Sequence, residues 1–313
     1  MVGKNILEHP NTSGWRMDAP SSEELNLLDF SQVHNYLEEK KPDLVIHAAG
    51  RVGGIQDNIR NPISYLDDNL TIGRNVVMAA YHNRVGSFLN IGSTCMYPVG
   101  LESPLREEMI LSGKLEQTNE AYALAKIATA RLCQYIARQN PDMAYKSLVG
   151  CNLYGRHDKF GTDRSHLIAA VIDKIHKAKN KGRSAVEIWG DGTALREFMY
   201  AGDFADAVVR AASDIHKIPA LMNIGGGRDY SVTHYYKLVA EVLEWNGSFD
   251  YVPSQPTGVR RKLASIDRQL EWGWQPSTSL FEGIRKTYEF YCSVYASNDA
   301  KKHNSRLTTT AED

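Results

Sequence analysis

A tyrosine and a lysine four residues apart, Tyr122 and Lys126, form a pair that can work as an acid. Residues four apart on a helix share one face, so the two side chains come within reach of each other. A free tyrosine titrates near ~10 and gives up its proton poorly at neutral pH unless an ammonium group stabilises the phenolate. A lone pair of this kind is more often structural, so the interpretation needs support from other residues.

The stretch before this pair supplies that support. Residues 88–98 are an apolar run that ends in small polar residues and a proline. This pattern is typical of a buried parallel strand whose carboxyl end opens into a loop, where ligands collect in open α/β sheets. Ser93 lies at that end, and Cys95 follows two residues later. In an extended strand end the two side chains point to the same side, toward one pocket.

Composition limits the functional classes that remain. The 313 residues, 42% hydrophobic and 23% charged, can bury one large or two modest cores. A formal net charge of -1 offers no basic field for nucleic acid, and no apolar run reaches membrane length. The first residues do not show the basic and apolar regions typical of a signal peptide, and the four cysteines have neither zinc spacing nor a disulfide framework. We therefore expect a cytoplasmic protein without a metal site.

Strand and helix patterns alternate from the start to about residue 155, which predicts a Rossmann-like doubly wound parallel sheet. Strand patterns cover residues 42–50, 88–93 and 144–150, with a weak one at 15–17. Helix patterns start near residues 31 and 61, and the Tyr122 helix runs to about residue 139. Residues 1–155 are therefore the predicted dinucleotide-binding domain.

The start of the chain departs from that plan. A dinucleotide-binding domain normally opens with a strand and a Gly-rich turn that approaches the pyrophosphate at a helix N-terminus. Residues 1–8 instead have a helical pattern, and only Gly3 stands where the last glycine of such a turn could be. We expect the first strand and the Gly-rich turn to be missing, so that part of the cofactor site is absent or rebuilt.

The pattern loosens after residue 155. Residues 156–194 and 229–292 mix short strands with three helical stretches and predict a smaller α/β substrate domain, while residues 195–228 return to the main sheet. Residues 297–313 are polar and predict a disordered tail.

Six short motifs follow one another in a specific order. They are Gly92 to Pro98, Thr118 to Lys126, Asn152 to Gly155, Ser165 with His166, Trp189 to Gly192, and Leu195 to Phe198. Together they resemble the GDP-L-fucose synthases, a branch of the extended short-chain dehydrogenases/reductases, from Gly3 to about Tyr291. The resemblance implies a homodimeric enzyme that epimerises C3 and C5 of GDP-4-keto-6-deoxy-D-mannose and then reduces C4 with NADPH.

The resemblance also implies roles for individual residues. Ser93, Tyr122 and Lys126 match the reductase set, and Cys95 and His166 match the epimerase pair. A C4 ketone acidifies the hydrogens on C3 and C5, so a base on one ring face and an acid on the other can invert those carbons. The thiol would need a lowered pKa for this work. His166 could equally be a capping or surface residue.

Two further groups of residues are expected at the binding sites. The implied cofactor-binding residues are Gly3, Asp29, Ala48, Ala49, Tyr122, Lys126, Asn152, Leu153 and His166. The implied substrate-binding residues are Ser93, Asn152, Lys174, Trp189, Arg196 and Lys262, whose cations suit a nucleoside diphosphate. NADP is expected from the family. NAD is not excluded, because the arginine that often binds the adenosine 2′-phosphate has no obvious counterpart in this sequence, and Arg16 is the nearest candidate.

The sequence departs from the family pattern at several positions, and two alternative functions stay open. Gly150 and Cys151 stand where proline and threonine are common, Arg156 replaces a proline, and Lys174 replaces an arginine. One alternative is a GDP-L-colitose synthase, which epimerises only C5 of a 3,6-dideoxy sugar before the reduction. The other is a dinucleotide-binding protein without catalytic activity.

Overall fold

The chain alternates strands and helices over most of its length in this computed structural model, which describes residues 1–101, 104–161, 165–255 and 258–296. The strands are β1 (Leu44–His47), β2 (Ser87–Ser93), β3 (Ala144–Gly150), β4 (Asn152–Tyr154), β5 (Ala185–Trp189), β6 (Leu195–Arg196), β7 (Phe198–Tyr200), β8 (Leu221–Ile224), β9 (Tyr230–Ser231), β10 (Ser248–Val252) and β11 (Arg261–Lys262). The helices are α1 (Val2–Leu7), α2 (Phe30–Lys40), α3 (Ile55–Arg60), α4 (Pro62–His82), α5 (Glu120–Gln139), α6 (Leu167–Asn180), α7 (Ala201–Ser213), α8 (Val232–Val242), α9 (Asp267–Glu271) and α10 (Leu280–Tyr291). Among the described residues, no helix has the length and apolar character needed to cross a bilayer.

A four-stranded sheet in the order β1-β2-β3-β8 forms the centre, and every neighbouring pair in it is parallel. Helices cover both faces, which explains why the strands read as apolar runs. On one face, Ile6 of α1 and Phe204 of α7 belong to the same core as Leu89 and Leu148. The predicted fold class is confirmed.

The opposite face carries α2, α4 and α5. Val33, Val77 and Cys133 from these three helices pack with Phe88 and Tyr145 of the sheet. The rings of Phe88 and Tyr145 stack with centroids 5.1 Å apart, and full burial of one such side chain stabilises the fold by roughly 1.5–3 kcal/mol. This layer holds α5, with its Tyr122 and Lys126, against β2.

Residues after β4 build three small sheets and a second core. The strand pairs are β4 with β7 and β5 with β10, and β6 lies between β11 and β9. The second core joins Ile172 of α6, Tyr235 of α8 and Ile284 of α10. Strand β8 pairs with β3 and joins the central sheet, whereas β6 and β7, which come earlier in the expected return over residues 195–228, belong to the small sheets.

The prediction of a weak strand at residues 15–17 is wrong. These residues are irregular, and the N–H of Trp15 donates to the carbonyl of Thr12 at 2.9 Å within a local turn, so it is not available to a sheet. The described residues contain no strand before β1, and Gly3 lies inside α1, where an added Cβ would meet nothing within 4 Å. The predicted polar tail lies outside the described residues.

Helices α4 and α5 approach closely at one glycine, and this yields a stability prediction. A Cβ on Gly73 would lie 2.1 Å from Oγ1 of Thr129. We expect Gly73→Ala to lower the free energy of unfolding by about 1–3 kcal/mol, because the helices must separate. Alanine otherwise favours a helix by up to about 1 kcal/mol over glycine. Urea denaturation measures the change.

Gly3→Ala is the matched control for this prediction. It also places an alanine in a helix, but in open space, so its free energy of unfolding should stay the same or rise. Equal effects of the two substitutions would contradict the close packing of α4 on α5.

Candidate active site

Strand β2 ends at Ser93, and a tight turn follows at once. The hydroxyl of Ser93 accepts the backbone N–H of Cys95 at 3.4 Å and caps a 3-10 turn over Thr94–Met96. Cys95 therefore does not continue an extended strand, and the expectation that alternation sets its direction is wrong. The serine side chain competes for a backbone group and closes the turn instead.

Tyr122 and Lys126 lie one turn apart on α5, next to that strand end. The ammonium nitrogen of Lys126 is 5.7 Å from the centre of the Tyr122 ring and donates to the carbonyl of Ile91 in β2 at 3.0 Å. Lys126 is only 7% exposed, and this burial lowers its pKa to about 8. The lysine thus tethers the tyrosine helix to the strand that carries Ser93.

Burial also controls the proton of Tyr122. Desolvation raises the pKa of Tyr122 above its ordinary value, and the neighbouring Cys95 and Tyr65 raise it further. The phenol is consequently protonated across the neutral range. A protonated phenol beside a buried cation can donate its proton to an oxygen that gains negative charge.

Cys95 shares this buried environment. It is 6% exposed, and burial raises the pKa of its thiol. The hydrogen bond with Ser93 and the charges of Lys262 and Lys126 act in the opposite direction. The lowered thiol pKa that base chemistry requires is therefore not present in this arrangement, where desolvation is the largest effect.

Two of the predicted substrate-binding cations lie side by side. Arg196 of β6 and Lys262 of β11 are partners in the strand register. Burial lowers the pKa of both side chains, and the negative charge of Glu116 acts on both in the opposite direction. Because Lys262 also acts on Cys95, this strand pair borders the cysteine turn.

Lys174 and Trp189, two further predicted substrate contacts, lie in the part of the chain that builds the second core. The ammonium group of Lys174 donates to the carbonyl of Glu187 at 2.8 Å and to the hydroxyl of Tyr236 at 3.4 Å. It lines a cavity of about 680 Å³ together with Asp173 and Arg183. Trp189 ends β5 and is 47% exposed, so part of its side chain is accessible to a ligand.

His166 occupies the position before α6 and is paired with an acid. Its Nδ1 lies 3.0 Å from Oδ1 of the buried Asp158. No hydrogen bond or ion pair within the described ranges joins His166 to Cys95. The proposed epimerase pair is therefore not connected directly, and Asp158 is the residue that orients the imidazole.

The remaining predicted cofactor positions fall into distinct local settings. Asp29 caps α2, its carboxylate accepting the N–H groups of Ser31 and Gln32. Ala48, partly buried, and Ala49, exposed, follow the end of β1. Asn152 donates to the carbonyl of Glu197 at 2.8 Å, and Leu153 packs against the core beneath the sheet.

The end of β1 fits a ribose beside Lys126. An added Cβ on Gly50 would lie 3.8 Å from the Lys126 nitrogen and 2.9 Å from Oδ1 of Asn69, so backbone and ammonium group come close together there. An ammonium group has three N–H donors, and Ile91 takes one of them. A buried cation with spare donors suits the hydroxyl groups of a cofactor ribose.

Sequence reasoning missed three buried polar residues near these elements. Glu197 is 1% exposed, and burial raises its pKa to about 7 although its carboxylate accepts N–H groups of Gly227 and Ala264. Tyr65 donates to Asp57 at 2.7 Å next to Tyr122. No residue spacing in the sequence pointed to Glu197. Asp57 and Tyr65 could have been considered, because both are polar residues in the helices that precede the Tyr122 helix.

The fold and this set of residues define a Rossmann-type reductase with a tyrosine and a lysine on one helix. The sequence profile of the NAD dependent epimerase/dehydratase family matches residues 1–225. The chain belongs to this family.

Named relatives confirm the resemblance found from the motifs. A GDP-L-colitose synthase from Yersinia pseudotuberculosis is 48% identical over 291 residues, which is 93% of this chain and 94% of that protein. A GDP-L-fucose synthase from Azorhizobium caulinodans is 47% identical, with 93% of each chain covered. Among solved structures, a GDP-mannoheptose C4 reductase from Campylobacter jejuni with NADP bound has a TM-score of 0.83 at 28% identity, covering 93% of this chain and 94% of that one.

The electrostatic contact between Lys262 and Cys95 can be tested by thiol chemistry. We expect Lys262→Met to move the alkylation of Cys95 by iodoacetamide to higher pH, because a cation that lowers the thiol pKa is lost. Peptide mass spectrometry over a pH series measures the shift. Lys174→Met is the control, since that lysine bonds Glu187 and Tyr236 instead; the same pH profile for Lys262→Met and the unchanged protein would refute the contact.

Proposed function

We propose that this protein converts GDP-4-keto-6-deoxy-D-mannose to GDP-L-fucose by epimerising C3 and C5 and then reducing C4 with NADPH. The observation that carries the proposal is the group of Cys95, Tyr122 and Lys126 around the end of β2, in which Lys126 donates to the carbonyl of Ile91 and Cys95 raises the pKa of both Tyr122 and Lys126. The named relatives at 47–48% identity support the GDP-sugar class.

In the reduction, Tyr122 gives its proton to the C4 oxygen. Its raised pKa keeps that proton available until the oxygen becomes negative. Ser93 holds the same oxygen, and Lys126 compensates the phenolate that remains. The bound nicotinamide cofactor supplies the hydride.

In the epimerisation, Cys95 and His166 exchange protons with C3 and C5 from opposite ring faces. Removal of a proton leaves an enolate that the C4 oxygen carries, and return of a proton to the other face inverts the carbon. Lys126 and Lys262 favour the thiolate that this step needs. Asp158 holds the imidazole of His166 in one orientation.

The binding roles follow from the settings of the remaining residues. Arg196 and Lys262 bind the diphosphate as one paired site, Lys174 adds a third cation, and Trp189 lies against the base or the sugar. Asn152 contributes at the end of the sheet. Lys126 holds the cofactor ribose next to Ala48 and Ala49, and NADP is the preferred form, in line with the NADP found in a solved structural neighbour.

GDP-L-colitose synthesis is the second candidate, and one specific observation favours it. The relative of that name is as similar to this chain as the GDP-L-fucose synthase is. The two reactions share Tyr122, Lys126 and the acid–base pair. They differ in whether the substrate has a hydroxyl group on C3, and therefore in whether C3 is epimerised as well as C5. A direct comparison of the 3-hydroxy and 3-deoxy ketosugars as substrates decides between them.

The test separates the two half-reactions with two substitutions. In D2O without cofactor, NMR follows deuterium entering C3 and C5; with NADPH, absorbance follows the reduction. We expect Cys95→Ala to abolish deuterium entry, because it removes the base. We expect Tyr122→Phe to slow the reduction by about 100-fold or more while deuterium entry persists.

The same assay identifies failure. An unchanged protein that neither exchanges deuterium nor oxidises NADPH with either ketosugar would rule out both GDP-sugar reactions. Deuterium entry at the normal rate in Cys95→Ala would remove the cysteine from the mechanism and leave the reduction intact.

We also propose a homodimer through the outer faces of α4 and α5. Apolar side chains are exposed along these helices: Ile63 (81%), Leu66 (36%) and Leu70 (39%) on α4, and Leu124 (41%) and Tyr135 (50%) on α5. Such residues at helical spacing form an apolar surface of the kind that marks an interface. A second copy of this chain is the occupant that the family resemblance implies.

Substitution on that surface should dissociate the dimer. We expect Leu66→Asp to shift the molar mass in sedimentation equilibrium from two chains to one, because a buried charge would face the partner. Leu270→Asp is the control, since Leu270 is also exposed (42%) but belongs to α9. A monomeric unchanged protein would overturn the proposal.

The domain division and the location remain proposals as well. The core joining α6, α8 and α10 supports a nucleotide-sugar domain made of residues 156–194 and 229–292 beside the dinucleotide-binding domain. Four free cysteines, three of them buried, support a reducing cytoplasm. Limited proteolysis and cell fractionation test these two points.

A further inference from the structure

A buried tyrosine of α4 contacts Tyr122 and is itself hydrogen-bonded to a buried aspartate of α3. The rings of Tyr65 and Tyr122 meet nearly at right angles (81°), with centroids 6.4 Å apart. Edge-to-face contacts of this kind have a preferred geometry and resist rotation of either ring. The orientation of the Tyr122 ring therefore depends on the orientation of Tyr65.

The orientation of Tyr65 is set by a hydrogen bond at its far end. Its hydroxyl donates to Oδ2 of Asp57 at 2.7 Å, and the other carboxylate oxygen of Asp57 accepts from the amide of Asn61 at 2.9 Å. Tyr65 is 1% exposed and Asp57 is 8% exposed. A buried phenol bonded to a buried carboxylate is a strong, directional contact.

The loop after β1 is fitted around this pair. A Cβ on Gly53 would lie 2.2 Å from the Tyr65 hydroxyl oxygen and 2.7 Å from Oδ2 of Asp57, so only glycine allows the backbone to come so close. Asn58 donates to the carbonyls of both Gly53 and Gly54. The guanidinium group of Arg51, which belongs to the same loop, lies 5.7 Å from the Tyr65 ring centre.

We infer that Asp57 and Tyr65 are a positioning pair that fixes the angle at which Tyr122 presents its hydroxyl to the substrate oxygen. Neither residue needs to touch the substrate for this role; they act through the ring of Tyr122. The inference rests on the proposed function, because it assigns the pair to the reduction step. Cys95 and His166, which would exchange the C3 and C5 protons, do not depend on it.

Tyr65→Phe tests the inference because it removes the hydroxyl and keeps the ring. We expect kcat of the NADPH-dependent reduction to fall about three- to tenfold. This is the size of effect expected when the edge-to-face contact with Tyr122 is no longer held in one orientation. The KM for the GDP-ketosugar should stay within about twofold, and deuterium entry at C3 and C5 should be unchanged. A general loosening of the fold would slow both half-reactions together.

Tyr145→Phe is the matched control. Tyr145 is also fully buried and donates to a backbone carbonyl, that of Val85 at 3.1 Å, but it stacks on Phe88 in the sheet core. Both half-reactions of this variant should run at the rates of the unchanged protein. If Tyr65→Phe does not fold, Asp57→Asn keeps both rings, and we expect the same selective loss in the reduction, by a smaller factor.

Two results would overturn the inference. The first is reduction at the unchanged rate in Tyr65→Phe or, where that variant does not fold, in Asp57→Asn. The second is an equal loss in reduction and deuterium entry. An unchanged protein that shows neither half-reaction would instead refute the proposed function, so the two failures are distinguishable.

Discussion

The site depends on one buried hydrogen bond, that of the Lys126 ammonium group to the carbonyl of Ile91. A cation in an apolar setting is costly unless polar groups satisfy it, so Lys126 cannot move away from β2 without a large free-energy penalty. Ile91 lies two residues before Ser93, and Lys126 one helical turn after Tyr122. This single contact therefore sets the distance between the end of the strand and the tyrosine.

The packing of α4 on α5 extends the same constraint to the end of β1. At Gly73 the two helices come closer than any larger residue allows, which places the earlier turns of α4 beside Tyr122. Asn69 of α4 then exchanges hydrogen bonds with the backbone N–H and carbonyl of Arg51. One helix pair thus positions both the Tyr122 ring and the loop expected to approach the cofactor, so a change in the packing of the two helices would disturb both.

The sequence predicted the parts of this arrangement that depend on local pattern. The apolar run that ends at Ser93 was predicted to be a strand, and the alanine-rich segment that carries Tyr122 was predicted to be a helix. Both form as expected. The strand predicted at residues 15–17 does not form, because a strand also needs a neighbouring strand to pair with. The N–H of Trp15 is used in a local turn instead. The direction of Cys95 could not be predicted, because a serine hydroxyl converts the strand end into a 3-10 turn.

Burial accounts for what the motifs could not reveal about the chemistry. The same desolvation raises the pKa of Tyr122 and that of Cys95, yet the proposed reaction needs the phenol protonated and the thiol ionised. A uniform low-dielectric environment cannot satisfy both requirements, so something must distinguish the two groups. Lys262 and Lys126 both lower the thiol pKa of Cys95, and neither is among the groups that shift the pKa of Tyr122. Lys262 also stands in register with Arg196. Under the proposed function, Lys126 and the strand pair that binds the diphosphate would therefore together favour ionisation of the thiol over that of the phenol.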